Sequence, residues 1–271
     1  MLDAPLEKQR SGEHVLGQDP VVVMRDVCKS FGTHAVLRGL SLAIPRGKIT
    51  FIIGRSGEGK SVTLKHLVGI LLPDSGEVLI DGRSMAGASL QTWKEVRKEI
   101  GILFQDGALF DGLSVGENIA FPLGEFRSLS RHELEARVEE LLVLVGLPGA
   151  AMRMPSELSI GEKKRVGLAR ALALDPKIIL YDEPTTSMDP LIADLIDELI
   201  VSMPEKIPGL SSVVISHDMR SILSVADHIA FIHEGRIYFE GTPAELKGSP
   251  DPLLKQFLTG GLVGPLSKPI T

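Results

Sequence analysis

The sequence predicts an α/β fold built on a mostly parallel sheet, and three stretches carry that prediction. ITFII at 49–53 and IILY at 178–181 are unbroken apolar runs, as strands buried on both faces require. VVI at 213–215 is a third β-like run. The first two are followed by turn residues and then by apolar residues at helical spacing. Strands that alternate with helices in this way specify a parallel sheet covered by helices.

Residues 1–20 are polar and aperiodic and are expected to form a mobile tail. Order is expected from VVVMRDV at 21–27 onward. From there to residue 53, β-like runs are separated by Gly32, Gly39 and Pro45-Arg46-Gly47, the pattern of a hairpin-rich antiparallel sheet. After ITFIIG, the segment SVTLKHLVGIL sets Leu64, Leu67, Val68 and Leu71 at helical spacing. Residues 90–165 or so are richer in helix signals, LSRHELEARVEELLVLVGL being the clearest, and predict a helical insertion. LIADLIDELIVSM predicts a helix with a stripe of Leu191, Ile192, Leu195, Ile196 and Leu199. The main domain is therefore expected over 21–245. An extension over 246–271, broken by Pro and Gly, contains one short apolar helix candidate, DPLLKQFL, which either folds back on its own domain or packs on a partner.

A chain of 271 residues with 44% hydrophobic and 24% charged residues is long enough for an enzyme-sized core. Its net charge of −6 does not favour a nucleic-acid backbone, and no nucleic-acid partner is expected. The single cysteine, Cys28, excludes an intrachain disulfide and fits a reducing compartment. MLDAPLEKQRSGEH lacks a signal-peptide apolar region, and runs such as LLVLVGL fall short of the ~20 residues of a spanning helix. A soluble, cytoplasmic protein is expected.

GRSGEGKS matches the phosphate-loop pattern in full, and it lies between a predicted buried strand and an amphipathic helix. Gly54, Arg55, Ser56, Gly57, Glu58, Gly59, Lys60, Ser61 and Val62 are accordingly candidate nucleotide contacts. The glycines let backbone N–H groups wrap the phosphates, Lys60 places a charge on the β- and γ-phosphates, and Ser61 ligates Mg²⁺. Asp182 and Glu183 follow IILY and are either a solvated strand end or a magnesium aspartate next to a water-polarising glutamate. His217, after VVIS, either reaches the γ-phosphate or is a surface histidine. ELSIGEKKR adds a capping box, Ser159 with Glu162, at a helix start. That start, with Gly161, could equally receive an anion.

Taken together, GRSGEGKS, Gln105 in ILFQD, LSIGEKKR, IILYDEP, SMD at 187–189 and VISHD resemble the ATP-binding-cassette ATPase subunits, in family order and over residues 21–245. The resemblance implies a RecA-like P-loop NTPase fold with an antiparallel β subdomain and a helical subdomain. It further implies ATP hydrolysis with Mg²⁺, a homodimer and an integral membrane permease. By the same resemblance Gln105 senses Mg²⁺ and nucleotide, and Phe31 in KSFG stacks on adenine, unless it is plain core packing. LSIGE corresponds to the signature whose Ser159 and Gly161 touch nucleotide held by the other subunit, and the capping box is compatible with that role. Two departures stand out: Ile160 replaces a glycine, so this residue should not be left-handed, and Glu162 adds negative charge. Asp189 is a helix N-cap before Pro190, and by resemblance part of the loop across the dimer interface.

ILFQDGALFDGLSVGENIAFPL, the stretch 154–190 and DPLLKQFLTGGLVGPL are similar to ATPases of Mla-type lipid transport systems, whose permease works with an MCE-domain protein. This implies an ATPase peripheral on the cytoplasmic face of the inner membrane, moving phospholipid between that membrane and the cell envelope in either direction. The alternatives are the ATPase of another importer or exporter, or a soluble regulatory cassette. Neither duplicated cassettes nor a long coiled-coil insertion, which mark some of the latter, are present.

Overall fold

The computed structural model describes residues 19–186, 188–260 and 265. The expected tail through residue 18, Ser187 of the SMD stretch, and 261–264 with 266–271 of the C-terminal extension lie outside the described residues. Strands β1 (Pro20–Phe31) and β2 (His34–Pro45) form a long hairpin. Strand β3 (Ile49–Ile53) then leads through the glycine loop into helix α1 (Lys60–Leu67). A second hairpin, β4 (Ser75–Ile80) and β5 (Arg83–Ser84), joins the first in an antiparallel sheet of order β2-β1-β4-β5.

Helix α2 (Leu90–Lys98) is followed by β6 (Ile100–Leu103), then α3 (Val115–Phe126), α4 (Arg131–Leu144) and α5 (Ile160–Leu172). The helix-rich stretch from residue 90 thus also contains a strand, and β6 pairs in parallel with β7 (Ile178–Asp182) of the main sheet. Four residues are too few to show a period, so nothing in IGIL separates it from the helical signal around it. The rest of the chain is α6 (Pro190–Lys206), β8 (Ser211–Ile215), α7 (Met219–Val225), β9 (His228–His233), β10 (Arg236–Gly241), α8 (Pro243–Gly248) and α9 (Pro252–Thr259). The main sheet has the order β10-β9-β3-β8-β7-β6, parallel except at its β10 edge.

Side chains alternate across a strand, so each central strand feeds two cores. Phe51, Tyr181, Val214 and Phe231 face a helical layer that includes Leu168 and Ile196. Ile52, Leu180, Val213 and Ile232 face the antiparallel sheet, with Leu67 and Trp93. Trp93 of α2 packs directly on Gly69, just past α1, and a Cβ there would stand 2.4 Å from the indole ring.

One expectation is corrected, and one open alternative is decided. The buried face of α6 is Ala193, Ile196, Ile200 and Met203, whereas Leu191, Ile192 and Leu195 of the predicted stripe are exposed. The helix is apolar on more than one side, so periodicity alone does not choose the face. In α9, Leu253 and Leu254 are buried in the helical-layer core, and the Phe257 ring centroid lies 4.6 Å from that of Phe231. Asp251 caps this helix and accepts the Tyr238 hydroxyl at 2.8 Å. DPLLKQFL therefore folds back on its own chain.

Candidate functional site

Strands β3, β8, β7 and β6 run parallel, so their C-terminal ends share one edge of the sheet, where open α/β sheets place ligands. From these ends the chain delivers Gly54–Ser61, His217, Asp182 with Glu183, and Gln105. Gly54 has φ 150°, and a Cβ there would stand 2.5 Å from the Ile232 carbonyl oxygen; only glycine lets β3 turn into the loop. Lys60 opens α1, is buried, and its Nζ donates to the carbonyls of Gly54 at 2.7 Å and Arg55 at 3.0 Å. Burial lowers its pKa, against the opposing pull of Glu183, Glu58 and Asp182. Arg55, Ser56, Gly57 and Ser61 are exposed, Gly59 is buried and Val62 half-buried. Glu58 turns aside: its carboxylate accepts the Glu234 N–H at 2.5 Å and lies 3.4 Å from His233 Nδ1, which ties the loop to the β9–β10 turn.

Asp182 ends β7, and burial, followed by the charge of Glu183, raises its pKa. Glu183 has φ 52°, a left-handed conformation uncommon for a non-glycine residue and shared here with turn residues such as Asp81 and Glu234. Its N–H donates to Ile215 O at 2.9 Å, continuing the β7–β8 ladder past the strand end. One carboxylate oxygen, Oε2, accepts the Thr186 hydroxyl at 2.6 Å and lies 2.6 Å from His217 Nδ1. Among the described residues no group of three or more His, Cys, Asp or Glu could hold a metal unaided. The hard oxygen donors Asp182 and Ser61 instead fit a Mg²⁺ that arrives with phosphates and needs one carboxylate and a hydroxyl.

Gln105 is exposed beyond β6. Phe31 is 48% exposed at the tip of β1, with Lys29 Nζ 5.9 Å from its ring centroid, which removes the reading of it as core packing. Ser159 is the N-cap of α5 in a complete capping box, and Ile160 begins the helix with its side chain 63% exposed and is not left-handed. Asp189 is the N-cap of α6, its carboxylate accepting the Leu191 N–H at 2.9 Å. The hydrogen bonds of Ser159 and Asp189 stay within their own helix starts, with Glu162 and Leu191 as partners.

Helix α5 nevertheless connects to that cluster by residues with no sequence signal. Lys164 is 2% exposed, and its Nζ donates to the carbonyl of Pro184, next to Glu183. Arg170 donates to the carbonyls of Gly107 at 2.9 Å and Ala108 at 2.8 Å, in the loop that carries Gln105. The acceptors are main-chain atoms remote in sequence, so residue type alone could not reveal either contact. Glu162, the departure that adds charge, is compensated: Arg153 Nη1 lies 2.7 Å from its Oε1. Beside the Gln105 loop, Phe104, Phe110, Phe121 and Phe126 line a groove of about 380 Å³ rimmed by Arg97 and Lys98. The Phe110 and Phe121 rings are 4.9 Å apart, and Lys94 and Lys98 sit over Phe126.

The ABC transporter family model matches residues 37–186. The chain is 42% identical, over 246 residues and 91% of each chain, to the intermembrane phospholipid transport system ATP-binding protein MlaF of Escherichia coli K12. Among solved structures it is similar to cbiO1 of Clostridium perfringens, part of the ABC transporter complex cbiONQ, with a TM-score of 0.80 and 30% identity over 86% of this chain and 92% of that one. It is also similar to the ATP-binding cassette MJ0796, solved as a dimer in a post-hydrolysis state with ADP and phosphate, with a TM-score of 0.73 and 30% identity over 82% of this chain and 98% of that one.

Proposed function

We propose, from the premise that this chain belongs to the ABC transporter family and is an ATP-hydrolysing subunit, that it powers phospholipid movement between the inner membrane and the cell envelope. The observation that carries the phospholipid reading is the 42% identity to MlaF across 91% of both chains. Two copies work together on the cytoplasmic face of a permease that acts with an MCE-domain protein. The aromatic, cation-rimmed groove beside Gln105 supports docking of an amphipathic permease segment, since Phe104, Phe110 and Phe121 are exposed among the described residues. No described helix is long and apolar enough to cross a membrane, so membrane attachment falls to that partner.

In this reading the loop 54–62 holds the triphosphate and Phe31 stacks on adenine. Lys60 leaves the carbonyls of Gly54 and Arg55 for the β- and γ-phosphates. Asp182, Ser61 and Gln105 would hold Mg²⁺, which would supply neutralisation of phosphate charge. Glu183 polarises the attacking water, and His217 orients its carboxylate and reaches toward the γ-phosphate. Ser159, Gly161 and Asp189 of one copy complete the site of the other. Copurification of the tagged chain with its membrane partners, followed by lipid mass spectrometry and ATPase assays in proteoliposomes, tests the reading. Retained phospholipid and lipid-dependent hydrolysis are expected; a different bound cargo overturns the phospholipid assignment and leaves the ATPase role intact.

A further inference from the structure

Ser159 is held on both sides by Glu162. Its Oγ accepts the Glu162 N–H at 3.3 Å, while its own N–H and hydroxyl both donate to Glu162 Oε2 at 2.8 Å. A carboxylate at this point presents negative charge where, under the function proposed above, a second negative group must approach. The glutamate stays ionised at any working pH, because the Arg153 guanidinium, then the Ser159 N–H and hydroxyl, bring its pKa down to about 2.

Arg153 links the start of α5 to two other segments. Nη1 lies 2.7 Å from the free oxygen of Glu162, Oε1, and Nη2 donates to Glu157 O at 2.7 Å. Its carbonyl accepts the N–H of Val115, the first residue of α3, at 2.8 Å, and α3 supplies Phe121 and Phe126 to the aromatic groove. We propose that Arg153 is a positioning residue of the shared nucleotide site: it neutralises Glu162 and holds it by Oε1, so that the Ser159 hydroxyl can exchange Glu162 for the γ-phosphate of a nucleoside triphosphate bound to a second copy. Through its carbonyl the same residue fixes the start of α5 to the start of α3, so a partner seated in the groove and a nucleotide at the signature act on one arginine. This rests on the shared-site reading under the proposed function.

The test is ATP hydrolysis by the purified full chain, as KM and kcat, with a folding check by thermal unfolding, for the parent, S159R, R153A, R153K, E162Q and R153A/E162Q. R153A is expected to raise KM roughly three- to tenfold, as an uncompensated charge facing another would. R153K, which keeps the charge, is expected to fall between R153A and the parent. R153A/E162Q is expected to return to within about twofold of E162Q alone, since no charge then needs balancing. A purely structural arginine would not be rescued by removing the carboxylate, so an equal defect in R153A and R153A/E162Q overturns the inference. An unchanged KM in R153A while S159R is severely impaired overturns it too. A harmless S159R would instead overturn the shared-site reading on which it stands.

Discussion

The imidazole Nδ1 of His217 lies 2.6 Å from Oε2 of Glu183, an oxygen that also accepts the Thr186 hydroxyl at 2.6 Å. The glutamate is thus oriented from two sides, from the end of β8 and from its own turn, before any substrate arrives. Glu183→Gln is expected to keep ATP binding and to lower hydrolysis by ~10²–10⁴, the usual worth of a positioned general base. Phosphate release and nucleotide titration on the same preparation check this. Near-normal turnover would remove Glu183 from the chemistry.

Lys164 supports the same turn from α5 by donating to Pro184 O. Lys164→Ala leaves that buried carbonyl without its donor, at a cost of about 1–3 kcal/mol, and loosens the turn that holds Glu183. Urea unfolding should report the lost stability, and kcat should fall with ATP affinity nearly unchanged. A change in neither would show that the Pro184 contact is dispensable.

Gly161 has little room: a Cβ there would stand 2.9 Å from Ile192 Cγ2. Gly161→Asp adds to that crowding a carboxylate facing phosphate, an opposition of roughly 4 kcal/mol for unit charges ~4 Å apart at an effective dielectric near 20. It should be severely impaired, whereas Ile160→Gly, at an exposed position where backbone donors persist, should stay within a few fold of the parent. Steady-state ATPase assays rank the two. The reverse order would mean that the helix start is only a cap.

Truncation after Gly248 removes α9, and with it Leu253, Leu254 and the Phe257 ring on Phe231. Full burial of one such side chain contributes about 1.5–3 kcal/mol. The shortened chain is expected to unfold at clearly lower urea concentration as an isolated protein. An unchanged midpoint with weakened self-association in ultracentrifugation would restore the reading of this helix as a partner contact.

Asp197 on α6 is half-buried, and the loss of solvent raises its pKa, while the Ser221 hydroxyl donates to it and pulls the other way. An acid whose folded pKa lies above its unfolded one lowers stability where it is ionised, and this penalty fades as pH falls through the folded value toward the unfolded one. Asp197→Asn should therefore raise Tm near neutral pH by about 1–3 °C, with a smaller gain in acid. Calorimetry across pH decides; a gain that grows in acid contradicts the sign.

Much of the site was legible because its chemistry fixes residue type at fixed spacing. A glycine loop between strand and helix, a carboxylate pair at a strand end, and a capping box at Ser159 each state a backbone conformation as well as a chemistry. Contacts made to main-chain atoms were not legible. Lys164 and Arg170 read as ordinary helix-surface cations until the fold brings carbonyls 20 and 63 residues away in sequence to their tips. Burial direction failed for a related reason, since Leu191 and Ile196 are equally apolar and only the packed neighbours distinguish the exposed one from the buried one. In α9 the pattern announced that something must cover Leu253 and Leu254, and only topology supplies Phe231 as its neighbour.

The seat of Trp93 against Gly69 gives the protein a built-in optical reporter. It is the only tryptophan in the chain, it is buried, and it touches the end of the helix whose first residue is Lys60. Helix α1, two turns long, joins the phosphate loop at one end to the Gly69–Trp93 contact just past the other. Emission from this one residue is therefore expected to change without any label when ATP shifts the loop that opens α1, and a spectrum unchanged at saturating ATP would show that α1 does not move.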